Sequence, residues 1–493
     1  MEKLKNLKPL LLFHVLLNIA VIIFITGASY YHIPLEGIKD TSIYVLHLLL
    51  LQTTVAGILY FLSLNKWVFR ILFSALFLLY CGFSYWAYSQ DISITLPLIQ
   101  SVLETRPDIA IDVITIPYAL FFLAAIGALY IINRKHQKIQ PAKGFKIMVI
   151  PAIACIFLFF LLEQKRPGSL KNRLPYNLVE GLTEYFEKPT LQLKTQLPKL
   201  EFKEDSIKLV FVLGETVRAD HLGLNGYIRN TTPLLSSEKN LTSYKYLFTN
   251  NTYTGASVPQ ILTDQNLETN KGVFTSIYSV VNKAKFKTTW IGNQTLEKSF
   301  SPIVNTNDEI ILVDKYKSVF SFGKELDETM LTSLDTMLPK HNRQFITIQM
   351  IGSHWWYENR YTKKHRLFTP VIDSKYIPSL TKEQIVNSYD NTIVYLDHFL
   401  MEIIKRLKSE DIPTIMVYIS DHGEHLGEDG KWLHAQGGEA AMNPAFMIWF
   451  SKQFKESYPL RASDLKSLKD LRTTTDVIFY EVLKILGISY SNN

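Results

Sequence analysis

The chain has 493 residues, too many for one ordinary domain, and 47% of them are hydrophobic and 13% aromatic. The apolar excess is confined to residues 1–163, a membrane signature, and the net charge of +7 brings no basic patch with interleaved aromatics, which argues against a nucleic-acid partner. The cysteines, Cys81 and Cys155, both fall inside apolar runs, so a cysteine zinc cluster is excluded and the hydrophilic part has no disulfide to form.

Five apolar runs are long enough to predict membrane spans: about Leu10–Thr26, Ile43–Ser63, Val68–Tyr88, Ile114–Ile132 and Ile147–Leu162. The first is not followed by a small-x-small cleavage pattern, so it reads as a span and not as a signal peptide. Lys3, Lys5, Lys8, Lys66, Arg70, Arg134, Lys135, Lys138, Lys143 and Lys146 gather on one side, against Lys39 and Arg106 on the other. Positive charge stays inside, so the N-terminus is cytoplasmic and everything after Leu162 is outside. The second outer loop carries Glu104-Thr105-Arg106-Pro107-Asp108, which by composition is a solvated loop near the outer leaflet. Leu178, Val179, Leu182, Tyr185 and Phe186 then repeat as on an amphipathic helix, read either as an interfacial helix or as one packed on the soluble part. The expected domains are 1–163 (five transmembrane helices), 164–205 (interfacial helix and linker) and 206–493 (extracytoplasmic).

From Ile207 the pattern changes to strands alternating with helices. Strands are predicted at Ile207–Leu213, Thr288–Ile291, Ile310–Val313, Phe345–Met350 and Thr414–Ile419, and a long helix at Ile385–Lys408. That order predicts an α/β sandwich with a largely parallel sheet, whose functional groups follow the carboxyl ends of strands. They do so in sequence. Glu215 follows the first strand, His354 the fourth, and Asp421 and His422 the fifth. Two carboxylates and an imidazole make an N/O donor set suited to zinc, and His354 and His434 are available for a second ion or for proton donation. A nucleophile is needed in the fourth position. Thr216, beside Glu215, and Thr254, before a short apolar stretch, compete for it; a helix N-terminus at Thr254 would favour that residue, because backbone N–H groups there stabilise a phosphoryl oxyanion.

Taken as an ordered set, these segments resemble the phosphoethanolamine transferases, the lipid A-modifying and mobile colistin-resistance enzymes of the alkaline phosphatase/sulfatase superfamily. The set is Gly214-Glu215-Thr216-x-Arg218-Ala219-Asp220, Asn225-Gly226-Tyr227, Thr254 five residues before Pro259, Gly352-Ser353-His354 and Ser420-Asp421-His422-Gly423-Glu424. The resemblance implies a five-helix membrane domain followed by a sulfatase-like α/β sandwich in the periplasm, anchored in the bacterial inner membrane as a monomer. It implies zinc, one ion held by Glu215, Thr254, Asp421 and His422 with room for a second, and Thr254 as the residue that carries the phosphoethanolamine group. His354 and His434 match the histidines beside the transferred phosphate, Lys298 matches a substrate contact, Gln294 stands where the family has a substrate-contacting Asn, and Glu104 and Thr105 match a lipid-contacting outer loop. The implied donor is phosphatidylethanolamine and the implied acceptor lipid A or a related envelope glycolipid. Relatives often have smaller residues where Trp355-Trp356 stand, and many have disulfides that this chain lacks; the tryptophans fit a lipid or amine pocket, the membrane surface, or core packing. Two other activities compete. A sulfatase needs a C/S-x-P-x-R signature, which is absent. A glycerol-phosphate transferase of the lipoteichoic acid synthase type shares the spans and the threonine and differs in donor and acceptor.

Overall fold

In the computed structural model the described residues are 7–31, 37–90, 94, 98–99, 102–103, 115–139, 145–166, 168–187, 191–197, 200, 202, 206–268, 272–294, 296–297, 299–314, 324–373, 377–467 and 469–490. They fall into two compact units, broadly residues 7–187 and 191–490.

The first unit is helical. Its elements are α1 (Leu7–Phe24), α2 (Gly37–Ser63), α3 (Ser74–Gln90, entered through a π-helical turn, Val68–Phe73), α4 (Ile116–Gln137), α5 (Phe145–Lys165) and α6 (Tyr176–Glu187). Among the described residues, four helical stretches are long and apolar enough to cross a membrane: Thr41–Ser63, Val68–Ser89, Ile116–Gln137 and Met148–Lys165. The fifth expected span falls on Lys8–Phe24, an apolar helix too short for that criterion. Ile116, Leu120, Ile150 and Phe157 point outward and are exposed, as lipid-facing side chains are. Polar side chains turn inward and bond between helices, with Thr26 Oγ1 donating to Gln52 Oε1 and Gln52 Nε2 to Asn18 Oδ1. The amphipathic pattern of α6 resolves onto this unit: Leu178 is buried in its core, and Tyr176 donates a hydrogen bond to Thr54 on α2.

The second unit is an α/β sandwich around a seven-stranded sheet. Its strands are β1 (Ile207–Gly214), β2 (Leu241–Ser243), β3 (Lys287–Gly292), β4 (Glu309–Leu312), β5 (Arg343–Gln349), β6 (Thr414–Ser420) and β7 (Phe446–Phe450), in the order β2-β7-β6-β1-β5-β3-β4. All neighbours are parallel except those of β7, which is antiparallel to both β6 and β2. The five predicted strands are present. β2 and β7 are additional. On one face the strand residues Leu209, Phe211, Leu213, Phe345, Ile415 and Val417 pack in one core with side chains of α7 (Thr254–Leu262), α8 (Ile277–Lys283) and α11 (Ile478–Ile485). Two further helices against the sheet, α9 (Met330–Met337) and α10 (Lys382–Lys408), contact β3 and β6 respectively. α10 starts at a Thr381/Gln384 capping box and ends in Lys405, Arg406 and Lys408, so both ends of its dipole are complemented.

One buried carboxylate in this unit sets a pH response of its own. Asp397 on α10 accepts hydrogen bonds from the amides of Leu234 and Leu235, and burial pushes its carboxyl up to about 6. The folded chain therefore binds this proton more tightly than the unfolded one. Its contribution is full below the ordinary carboxylate value of 3.8 and is lost as pH rises through about 6. Asp397→Asn is expected to flatten the dependence of unfolding free energy on pH between about 4 and 6, read by denaturant titration of wild type and variant across that range.

Candidate active site

The register of the sheet builds the site. β1 lies between β5 and β6, with Leu213 opposite both Gln349 and Ile419 and Gly214 opposite Ser420. Three strands therefore end at one level, and the residues that follow them meet at one edge. Glu215, Asp421 and His422 are all buried, and their ligand atoms lie within 4.8 Å of one another. His422 Nε2 is 3.4 Å from Glu215 Oε1 and 3.3 Å from Asp421 Oδ2.

The loop after β1 is shaped for this. Thr216 has φ +64°, a left-handed conformation unfavourable for a β-branched residue, costing on the order of 1–3 kcal/mol. The turn aims its amide at Asp421 Oδ1 (3.1 Å) and its hydroxyl at Glu215 Oε1 (2.7 Å). Tyr389 of α10 holds it there, donating to Thr216 O and accepting from the Arg218 amide. Thr254 approaches from the other side as the first residue of α7, and its Oγ1 donates to Glu215 Oε2 at 3.1 Å. The Ala256 and Ser257 amides already close on Tyr253 O, so those of Thr254 and Gly255 stand ahead of the helical ladder. The two competing threonines differ in access: Thr216 is fully buried and Thr254 half-buried.

The donor set fits a divalent cation. Asp421 Oδ2 and His422 Nε2 are buried without a hydrogen-bond partner, although each is a strong polar atom. His422 Nδ1 lies 2.8 Å from Gly423 O; it is assigned as the N–H donor there, which leaves the Nε2 lone pair facing the carboxylates. The electrostatics agree. Burial raises Asp421 to about 7, with Glu215 adding to the rise. For His422, burial acts downward, but Asp421 and Glu215 outweigh it and lift the ring to about 10. The two carboxylates thus favour positive charge between them; a proton on His422 supplies it in the metal-free chain, a divalent cation would supply it in the proton's place, and zinc suits the oxygen and nitrogen ligands.

His354 and His434 stand beside the cluster. The His434 ring centroid is 4.7 Å from that of His422 and 5.2 Å from that of His354. Burial, with help from His434 and Arg360, holds His354 neutral, down to about 3, against an upward pull from Glu215. His434 Nδ1 instead faces a carboxylate, Glu424 Oε1, at 3.5 Å, and Glu424 also accepts from Tyr357 OH. Glu424 is a site residue that strand-end reasoning did not select, although it closes the Asp-His-Gly-Glu segment. Gly423 has no space for a side chain, since a Cβ there would lie 2.2 Å from Ala440 O. Gly423→Ala is expected to lower stability by about 1–3 kcal/mol and to weaken metal binding, measured by thermal unfolding with and without added zinc.

Gln294 is buried, and its Nε2 donates to Glu215 Oε2 (3.2 Å) and Met350 O (2.5 Å), so it holds a ligand carboxylate. Trp356 is largely buried and Trp355 partly so, each ring edge-on to its neighbour at 5.1 Å. Lys298, Glu104 and Thr105 lie outside the described residues.

The sulfatase family pattern matches residues 208–488, more than half of the chain and the whole seven-stranded sheet. The chain belongs to the sulfatase family. Its relatives within that family are phosphoethanolamine transferases of the EptA and Mcr type. Phosphoethanolamine transferase EptA of Escherichia coli (strain K12) is 26% identical over 498 residues, covering 92% of this chain and 89% of that protein. Phosphatidylethanolamine transferase Mcr-1 of Escherichia coli is 29% identical over 270 residues, 50% of this chain and 48% of its own length. Among solved structures, the integral membrane lipooligosaccharide phosphoethanolamine transferase A from Neisseria meningitidis superimposes with a TM-score of 0.78 at 23% identity, covering 97% of this chain and 96% of that one. The whole-chain fold of this sulfatase-family member is therefore EptA-like, helical unit included.

Proposed function

We propose that the chain is a zinc-dependent phosphoethanolamine transferase of the bacterial inner membrane. It takes the group from phosphatidylethanolamine, carries it on Thr254, and passes it to an envelope glycolipid phosphate such as that of lipid A. One observation carries the reading: Thr254, the accessible threonine, opens a helix and donates its hydroxyl to Glu215 inside the Glu215–Asp421–His422 cluster. The EptA- and Mcr-type relatives supply the group transferred, and the lysine and arginine distribution supports a periplasmic site with α1 as a fifth span.

Glu215, Asp421 and His422, with Thr254, would hold the cation, and His354 and His434 lie where a second would bind. Zinc held there would lower the pKa of the Thr254 hydroxyl and offset charge on the phosphoryl oxygens. The rest falls to the chain. In the first step a bond forms between Thr254 Oγ1 and phosphorus while the bond to the diacylglycerol oxygen breaks; the threonine proton is released and His434 returns one to the leaving oxygen. Glu424 orients the His434 ring for that transfer, and neutral His354, assigned as donor from Nδ1 to Trp355 O, keeps its Nε2 lone pair as a ligand for a second cation. The free amides at the start of α7 bind the phosphoryl oxygens. In the second step an oxygen of the acceptor phosphate bonds to phosphorus while the bond to Thr254 Oγ1 breaks; His434 takes the proton of the acceptor hydroxyl, and a proton from solvent, replacing the one released in the first step, restores the Thr254 hydroxyl. Gln294 keeps Glu215 in place throughout, and Lys298, Glu104 and Thr105 belong to substrate binding on this reading.

Lipid mass spectrometry on the purified full-length chain with phosphatidylethanolamine and lipid A tests this. Diacylglycerol and phosphoethanolamine-modified lipid A are the expected products. Glycerol-phosphate transfer from phosphatidylglycerol, with phosphatidylethanolamine untouched, would replace it with the lipoteichoic-type activity.

A further inference from the structure

We infer that Asp327, a residue remote in sequence from every candidate ligand, is a positioning residue that sets His354 and Gln294 against Glu215. The inference rests on the transferase reading for its kinetic consequence, and on geometry alone for the positioning itself.

Asp327 is buried at the start of a short 3-10 turn, Asp327–Thr329, that leads into α9. Among the described residues its carboxylate makes hydrogen bonds to two backbone amides and one side-chain amide. Oδ1 accepts from Asn293 Nδ2 (2.9 Å) and from the Ile351 amide (2.9 Å), and Oδ2 accepts from the Gly352 amide (3.0 Å). These donors come from the ends of two neighbouring strands, β3 and β5. Asn293 directly precedes Gln294, whose amide reaches Glu215 Oε2. Ile351 and Gly352 begin the turn that delivers His354.

That turn lies on the first ligand itself. Gly352 has φ +53°, and a Cβ there would sit 2.6 Å from Glu215 O; the next amide, of Ser353, donates to Glu215 O at 3.0 Å. From the far side, buried Arg360 donates to His354 O (2.9 Å) and Trp355 O (3.2 Å). His354 is thus gripped at its backbone from both directions, by a carboxylate on the preceding amides and a guanidinium on its own carbonyl. A buried carboxylate that accepts three hydrogen bonds from two strand ends fixes their separation, and a reacting group displaced by about 1 Å costs on the order of 10²-fold in rate.

The substitution Asp327→Asn keeps one carbonyl oxygen and turns an NH₂ toward the Gly352 amide, so the turn must move. The matched control is Asp397→Asn, a second buried carboxylate in the same unit, which accepts the backbone amides of Leu234 and Leu235 rather than amides of the site loops. Both variants are made in the full-length chain in detergent. For Asp327→Asn the expected result is a fall of about 10²-fold in kcat for phosphoethanolamine transfer, with KM for phosphatidylethanolamine and bound zinc close to wild type. Hydrogen exchange should accelerate in the peptide spanning residues 350–354 and not across the sheet. The control should leave kcat and that peptide unchanged. Equal losses of kcat in the two variants, or unaltered exchange at 350–354 in Asp327→Asn, would overturn the inference. A wild-type chain that transfers no phosphoethanolamine would count against the transferase reading alone, and the exchange result would still decide the role of Asp327.

Discussion

Thr254→Ala is expected to abolish phosphoethanolamine transfer, lowering the rate by about 10⁴-fold or more while the fold and bound metal persist. The size follows from position. Thr254 Oγ1 is the accessible hydroxyl among those bonded to the ligand carboxylates, and no neighbouring group replaces it in the described site. Thr216 provides the contrast. Its hydroxyl also bonds to Glu215 yet is fully buried, so Thr216→Ala removes support from a ligand and not the attacking atom. A loss of about tenfold is expected there, and diacylglycerol release from phosphatidylethanolamine separates the two variants. If Thr216→Ala proved the more damaging, the assignment of the nucleophile would have to be exchanged.

Removing the cation is the second large effect. Glu215 and Asp421 bring two carboxylates into a fully buried site, with His422 Nε2 within 3.4 Å of each. A bound divalent ion satisfies Asp421 Oδ2 and His422 Nε2, which are otherwise without hydrogen-bond partners, and stabilises the folded chain by mass action. At free zinc about 100 times Kd the gain is about 2.7 kcal/mol. Chelation is therefore expected to lower the unfolding temperature of the second unit by several degrees, zinc to restore it, and His422→Ala to erase the difference along with transfer activity. Scanning calorimetry of the full-length chain, before and after chelation, reads this directly; identical transitions would contradict a zinc site.

Much of the site could be read without coordinates, because in a parallel sheet the strand ends do the placing. Glu215, His354, Asp421 and His422 each follow an apolar run, and the register of β1 with β5 and β6 brings those runs to one edge. β7 escaped notice although Phe446–Phe450 is strongly apolar, because it enters the sheet antiparallel, a pairing that depends on β6 rather than on local pattern. β2 is three residues long and has no pattern to find. An apolar helix stands at each of the five expected spans, legible from length and composition; four are long enough to cross a membrane among the described residues, and Lys8–Phe24 is shorter. Gln294 matched a substrate contact by its place in the motif, whereas its amide turns inward to Glu215, since β3 sits one strand beyond β5. Asp327 has no signature at all. Its role exists only where the ends of β3 and β5 come side by side.

The central claim is that Thr254 carries the phosphoethanolamine group between donor and acceptor. Its most direct measurement is the intact mass of the full-length chain after incubation with phosphatidylethanolamine and no acceptor, followed by peptide mapping. An increase of about 123 Da, one phosphoethanolamine, is expected on Thr254, absent from Thr254→Ala and discharged when lipid A is added. An unmodified chain that nonetheless transfers the group, or an adduct that persists in Thr254→Ala, would contradict it.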